Sequence, residues 1–148
     1  ATTTEVYNQR THMFRVPIAF YHPSGKLKAE RSNKAFQQLD IMPTILDLLN
    51  IETSYYAFGN SFYSQEGGEA LIYISGSYHY FKDGHMVVYS DEKAQNLYNY
   101  TLKKVDLQDS LSFYKRESKS VENKIKAMIQ RYNHDLIQNQ TTTNETKH

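Results

Sequence analysis

The chain has 148 residues, the size of one ordinary domain, and its 17 Lys and Arg nearly balance its 16 Asp and Glu, for a formal charge of +1. This balance excludes a nonspecific binder of nucleic acid, because no net field attracts a polyanion. The absence of cysteine excludes disulfides, thiolate metal ligands and cysteine nucleophiles. With 13 Tyr and no Trp, tyrosine rings are expected to carry much of the packing.

The first half of the chain contains two apolar segments. Residues 16–21 (VPIAFY) form a compact apolar run that ends in the turn residues HPSG, and this pattern predicts a buried strand. Asp40 is a good N-cap, Pro43 lies in a first turn, and Asn50 can adopt the left-handed conformation that ends helices. A short amphipathic helix is therefore predicted over residues 40–50.

The second half changes to a pattern of strands and turns. Four strands are predicted in succession, at residues 70–75, 78–81, 86–89 and 97–102. The dipeptide Asp83-Gly84 is the strongest short hairpin signal in the sequence, and residues 90–96 are predicted to be a polar connection. Together these strands form an antiparallel sheet that needs a cover on its apolar face.

The last element supplies this cover. A helix of about 20 residues is predicted, with Ser118 or Ser120 as its cap and apolar positions at Val121, Ile125, Met128, Ile129, Tyr132 and Leu136. Residues 139–148 are polar and are expected to be a disordered tail. The periodicity therefore predicts an α+β arrangement, with no apolar run of the length that a membrane span needs.

Few side chains in the sequence are candidates for a catalytic or metal-binding role. His79 and His85 flank the hairpin, where they are either a two-histidine metal site or, as the pattern favours, exposed hairpin residues, because no carboxylate falls into a ligand pattern with them. The sequence contains neither a Gly-x-Ser-x-Gly elbow nor a phosphate-cradling glycine loop. The residues alone thus predict a domain without a complete active site.

Three stretches carry a resemblance to a known family: residues 14–25 (FRVPIAFYHPSG), 38–51 (QLDIMPTILDLLNI) and 58–62 (FGNSF). In this order they resemble the C-terminal third of sulfatase-type enzymes of the alkaline phosphatase superfamily, most closely the lipoteichoic acid synthase family of membrane phosphoglycerol and phosphoethanolamine transferases. The resemblance implies an α/β fold, in which residues 1–66 end the catalytic domain with a strand and a helix of its large sheet. Residues 67–138 would be the small antiparallel subdomain with its closing helix.

The resemblance also implies a reaction. Enzymes of this family use a Thr nucleophile, or a formylglycine in true sulfatases, beside one or two divalent metals (manganese, zinc, magnesium or calcium), which neutralise charge on the transferred group. These residues lie upstream in the family, and the Asp-His metal pair expected shortly before Val16 is missing here. We therefore expect no catalytic residue and no metal ligand in this chain; His12 lies near a substrate-side histidine of some relatives.

The leading hypothesis is a C-terminal piece of such a transferase, whose partners are the upstream part of the same catalytic domain and a phospholipid or phosphoglycerol substrate. The parent would be a membrane protein with an extracellular or periplasmic catalytic domain, whereas this piece, which begins with Ala1, would be soluble. A sulfatase or phosphodiesterase parent is an alternative. Another is a glycan or lipid-headgroup binding module that uses Tyr73, Tyr78, Tyr80 and Tyr89. An unpaired strand at residues 16–21 would favour self-association of the isolated chain.

Overall fold

The computed structural model describes residues 15–64, 68–100, 108–111 and 115–142. A 3-10 turn, Gln38–Asp40, leads into helix α1, Ile41–Leu48, and a long helix α2, Lys115–Ile137, comes last. Between the helices lie the strands β1 Glu69–Ile74, β2 Ser77–Lys82, β3 His85–Ser90 and β4 Lys93–Asn99. The predicted four-stranded antiparallel sheet followed by a helix is confirmed.

The sheet is a meander in the order β1-β2-β3-β4. Each of its three turns has two residues with positive φ: 49° and 90° at Ser75-Gly76, 48° and 76° at Asp83-Gly84, and 50° and 62° at Asp91-Glu92. Such turns match the right-handed twist of the flanking strands. The short turns therefore fix the register, which pairs Tyr80 with Val87 across β2 and β3.

The predicted polar connection at residues 90–96 is wrong. The turn occupies only Asp91-Glu92, and β4 begins at Lys93. The third hairpin escaped prediction because neither turn residue is glycine, and Glu92 adopts a left-handed conformation that costs a residue with a Cβ about 1 kcal/mol. Tyr100 follows β4, while Leu102, the last residue of the predicted fourth strand, lies outside the described residues.

Strand alternation gives the sheet two faces. The helix face carries Glu69, Leu71, Tyr80, Val87 and Leu97, whereas the outer face carries Ile72, His79, Phe81, Met86 and Tyr98. Helix α2 covers the helix face, as predicted, and its Ile125 packs in one cluster with Tyr80, Val87 and Leu97 of the sheet. The side chain of Ile125 has no exposed surface.

The N-terminal end of α2 differs from the prediction. The helix begins at Lys115, so Ser118 and Ser120 lie inside it and the predicted cap is wrong. At the other end Asn139 has a φ of 53°, and Gln140 N–H donates to the carbonyl of Asp135 at 2.8 Å. The left-handed Asn139 and this bond between residues five positions apart close the helix.

The predicted strand at residues 16–21 does not form. The segment has no regular secondary structure, and Val16 is 62% exposed. A strand needs the backbone of a partner, and the described sheet contains only β1 to β4. None of the helices in the described part of the chain is long and apolar enough to cross a membrane.

Both edges of the sheet have backbone groups that bond to residues outside it. On the β4 edge, Leu97 N–H donates to Oδ1 of Asp109 at 3.0 Å, and the carbonyl of Leu97 accepts from Ser110 N–H at 2.8 Å. On the β1 edge, Leu71 N–H donates to Oε1 of Gln37 at 3.2 Å. These bonds reduce the tendency of each edge to pair with another chain.

Candidate interaction surface

Asp40 joins the start of α1 to the loop that follows it. Its carboxylate is buried, with Oδ2 accepting from Gln37 N–H at 3.0 Å and Oδ1 accepting from Asn60 N–H at 2.9 Å. Burial raises the pKa of the Asp40 carboxyl above its ordinary value, although the two backbone donors act in the opposite direction. Asp40 is the N-cap residue of α1, as predicted, but its side chain makes no capping bond to that helix. The carboxylate instead anchors the loop and the turn that precedes α1.

Thr44 is the second anchor of this loop. Its hydroxyl donates to the carbonyl of Asp40 at 2.6 Å and accepts from Phe62 N–H at 3.0 Å. Gly59 passes so close that a Cβ there would clash with the carbonyl of Leu39 and with the carboxylate of Asp40. The motif residues of α1 and of the loop at residues 58–62 therefore pack and bond together as one unit. We call residues 58–62 the interlocked loop.

The end of α1 follows the sequence prediction. Asn50 has a φ of 50°, its N–H donates to the carbonyl of Asp47 at 3.1 Å, and Ile51 N–H donates to the carbonyl of Leu46 at 2.9 Å. Pro43 is buried in the first turn, where its missing N–H costs nothing. This pair of bonds around a left-handed residue is the usual way in which a helix satisfies its last carbonyls.

The apolar stripe is the main exposed feature of the first half. We give this name to Leu39, Met42, Ile45, Leu49 and Ile51, all of which are exposed. Leu39 and Leu49 each have about half of their surface in contact with solvent, at 53% and 51%. A surface helix normally presents polar residues to water, so the stripe has the composition of an interface.

Residues 16–21 add further exposed apolar surface. Val16, Ile18 and Phe20 are exposed, yet the segment is attached to the loop after α1 through aromatic rings. The ring of Phe20 lies 5.9 Å from that of Phe36, which lies 6.0 Å from that of Phe62. These edge contacts hold the segment beside the interlocked loop.

Helix α2 also contacts the segment that follows α1. The hydroxyl of Tyr56 donates to Oδ2 of Asp135 at 2.6 Å, and the ring of Phe58 lies 4.9 Å from that of Tyr132. The hydrogen bond from Tyr56 is the main reason why the pKa of Asp135 is lowered. A groove of about 400 Å³ lies here, lined by Gln38, Leu39, Met42, Tyr56, Ala57, Phe58 and Thr141.

A buried carboxylate on the helix face ties α2 to the sheet. Glu69 accepts from the hydroxyl of Tyr80 at 2.6 Å and lies 2.9 Å from Nζ of Lys124 and 3.5 Å from Nζ of Lys82. Burial opposes its ionisation, but Tyr80 and the two ammonium groups outweigh burial and hold the pKa of Glu69 below its ordinary value. The sequence pattern does not reveal this role of Glu69, because it appears only when β1, β2 and α2 meet.

The predicted chemical residues do not assemble into a site. His12 lies outside the described residues. His79 is on the outer face and His85 on the helix face, so they cannot share a metal ion. No three His, Asp or Glu side chains converge as metal ligands among the residues that the structure describes.

The four tyrosines of the binding-module hypothesis also separate. Tyr80 and Tyr89 are core residues with 2% and 5% of their surface exposed. Tyr73 is exposed, and its ring lies 4.8 Å from that of Tyr78. Tyr80→Ala would therefore report the loss of core packing, whereas Tyr73 is the ring of this group that is open to a ligand.

Comparison with known proteins gives no relative. No protein-family profile matches the chain, and it has no significant match among curated proteins or solved structures.

Proposed function

We propose that this chain is the C-terminal portion of a metal-dependent, sulfatase-like phosphoglycerol or phosphoethanolamine transferase that acts on cell-envelope lipids or polymers. In this proposal the upstream part of the same alkaline phosphatase-like domain provides the nucleophile and the metal ligands. The chain contributes α1, the interlocked loop and the small sheet, which complete the fold and the rim of the active site.

The observation that carries the proposal is the exposed apolar stripe. Leu39, Met42 and Leu49 lie on one side of α1, and Asp40 and Thr44 are buried on another. The helix is therefore apolar on a side that stays about half exposed among the described residues, beside the groove that Leu39 and Met42 line. A helix that packs between the rest of a catalytic domain and its own loop would have this composition.

Residues 16–21 support the same proposal. Their apolar composition is typical of a strand that is buried on both faces of a parallel sheet, but within the described residues no neighbouring strand pairs with them. In the proposed parent, strands from upstream would supply the missing backbone partners. In this proposal the metal belongs to the parent enzyme.

Complementation by the upstream part tests the proposal. The chain is mixed with manganese and a chromogenic phosphodiester, alone and after coexpression with the upstream part of its catalytic domain. We expect turnover only in the coexpressed complex, and a Leu39→Ser/Leu49→Ser variant should form at least tenfold less complex. Metal-dependent turnover by the chain alone would contradict the proposal.

The acceptor distinguishes a transferase from a hydrolase. The active complex is given a labelled glycerophospholipid, with and without a lipid acceptor that carries a free hydroxyl. Transfer of phosphoglycerol to the acceptor is expected. Release to water alone, or preferential cleavage of a chromogenic sulfate ester, would instead indicate the hydrolase alternative.

A further inference from the structure

His79 occupies an unusual position on the outer face of the sheet. It lies in β2 with Ile72 of β1 and Val88 of β3 as its cross-strand partners. Its Nδ1 atom is buried and has no hydrogen-bond partner among the described residues. The imidazole is half-buried, and apolar side chains flank it on both neighbouring strands.

This environment favours the neutral ring over the charged one. With its proton on Nε2, a neutral imidazole presents a lone pair at Nδ1, and an unpaired acceptor is a modest cost. A second proton turns Nδ1 into a charged donor that lacks an acceptor in this part of the structure. Burying such a charge without a partner is much more costly than burying the neutral ring.

The charged and titratable groups around the outer face offer no compensation. Beside His79, this face of β1 and β3 carries apolar side chains, and at one end of the sheet lie Ser77 of β2 and Ser90 of β3. Lys93 pairs with Ser90 at that same end, and the guanidinium of Arg15 lies 5.8 Å from the ring of Tyr100. Tyr98 lies on β4, two strands from His79, and the carboxylate of Asp109 on that edge accepts from Asn96 and from Leu97 N–H. Neither cation would stabilise a protonated histidine.

We propose that His79 makes the outer face of the sheet acid-sensitive, because uptake of a proton at Nδ1 weakens the packing of the segment around Ala35 on Phe81 and Met86. Ala35 belongs to the apolar cluster of those two buried side chains. Acid would thereby loosen the connection between the first half of the chain and the sheet. This inference is independent of the proposed function.

The direction of the pH effect on folding stability follows from where the proton binds first. Burial lowers the pKa of His79 below its ordinary value of 6.5, so the unfolded chain binds this proton first. His79 therefore contributes its full stability above pH 6.5, and this stability is lost as the pH falls through the window between 6.5 and the lower folded value.

Urea unfolding at a series of pH values tests the proposal. For the wild-type chain, the unfolding equilibrium constant should rise by up to about tenfold per pH unit below the ordinary histidine pKa. His79→Leu should remove this rise, whereas the control His85→Leu, on the helix face, should retain it. The same rise in His79→Leu as in the wild type would overturn the proposal.

A measurement on the unmodified chain guards against a variant that does not fold. Nuclear magnetic resonance of the histidine rings follows the proton at His79 directly. We expect the neutral ring to carry its proton on Nε2 and to titrate below 6.5, in step with changes at Ala35. Titration at or above that value would overturn the proposal.

Discussion

The first half of the chain exposes many of its apolar side chains, whereas the sheet with α2 buries its own. The buried hydrophobic residues of the described chain all lie in the second region, from Ile74 to Ile125. In the first region the buried side chains include Asp40, Thr44 and Pro43, while Leu39, Leu49 and Val16 are exposed. The second region thus closes a core of its own, and the first depends on hydrogen bonds and aromatic contacts.

This difference shows which of the two regions can bury a hydrophobic core with its own residues. Three tight hairpins and one long helix need only neighbouring sequence to bury Tyr80, Val87 and Leu97. The apolar stripe and residues 16–21 have no such neighbour among the described residues. Their side chains are those of a core for which part of the packing is missing, which is the basis of the proposed function.

The largest effect should come from the core between sheet and α2. Ile125→Ala removes a fully buried side chain and should lower the free energy of unfolding by about 2 to 5 kcal/mol. Urea unfolding followed by circular dichroism measures this loss. The matched control is Ile137→Ala at the exposed end of the same helix, for which we expect a change below about 0.5 kcal/mol. Equal losses would contradict the assignment of the core.

The buried carboxylate should have the next largest effect. Glu69→Gln weakens the bonds to Tyr80 and Lys124, at a cost of about 1.5 to 3 kcal/mol. The pKa of Glu69 is lowered in the folded chain, so its ionic contribution is present above the ordinary glutamate pKa and is lost as acid protonates it.

Unfolding curves at neutral and at acidic pH measure this contribution. The difference between wild type and Glu69→Gln should shrink on acidification. The control Glu122→Gln retains a side-chain oxygen that can accept from Ala94 N–H, the bond that Glu122 makes at 2.7 Å. A difference for Glu69→Gln that is independent of pH would show that the charge of Glu69 contributes nothing.

The interlocked loop should be sensitive to added volume. Gly59→Ala places a Cβ against the backbone of Leu39 and the carboxylate of Asp40, and overpacking of this kind costs about 1 to 3 kcal/mol. Asn60→Ala is the control, because its backbone N–H still donates to Asp40. Hydrogen exchange of the Asn60 and Phe62 amides should accelerate in Gly59→Ala and stay slow in the control; unchanged exchange in Gly59→Ala would refute the close packing.

The apolar stripe should have the smallest effect on stability and a clear effect on association. Leu39→Ser/Leu49→Ser alters exposed side chains, so we expect the free energy of unfolding to change by less than about 1 kcal/mol. Sedimentation should show concentration-dependent self-association of the wild-type chain that the double variant reduces. A strictly monomeric wild type would count against the stripe as an interface.

Local signals in the sequence predicted the second region well. Asp83-Gly84 marked its hairpin, alternation marked the strands, and helical periodicity placed Ile125 on the buried side of α2. The third hairpin was missed because Asp91-Glu92 lacks glycine, and its left-handed conformation is imposed by the pairing of β3 with β4. Pairing between strands can thus override a local preference.

The first region was predicted less well for a different reason. Periodicity placed α1 and Asn50 correctly, since a helix depends on contacts within four residues. It assigned a strand to residues 16–21, but the apolar composition of a strand specifies burial without supplying a partner. Asp40 lies at the predicted N-cap position, but its carboxylate anchors the loop, because Asn60, twenty residues away, donates to it.

The sequence by itself determined which segments have helical or alternating periodicity and where the first two hairpins turn, because these features depend on side chains a few residues apart. Only the tertiary structure decided that Glu69 is enclosed by Tyr80 and Lys124, that His79 and His85 face opposite ways, and that the stripe on α1 is exposed. The reason is physical: burial, hydrogen-bond partners and charge pairing are properties of residues brought together from distant positions, and the exposed stripe records the absence of such a neighbour among the described residues.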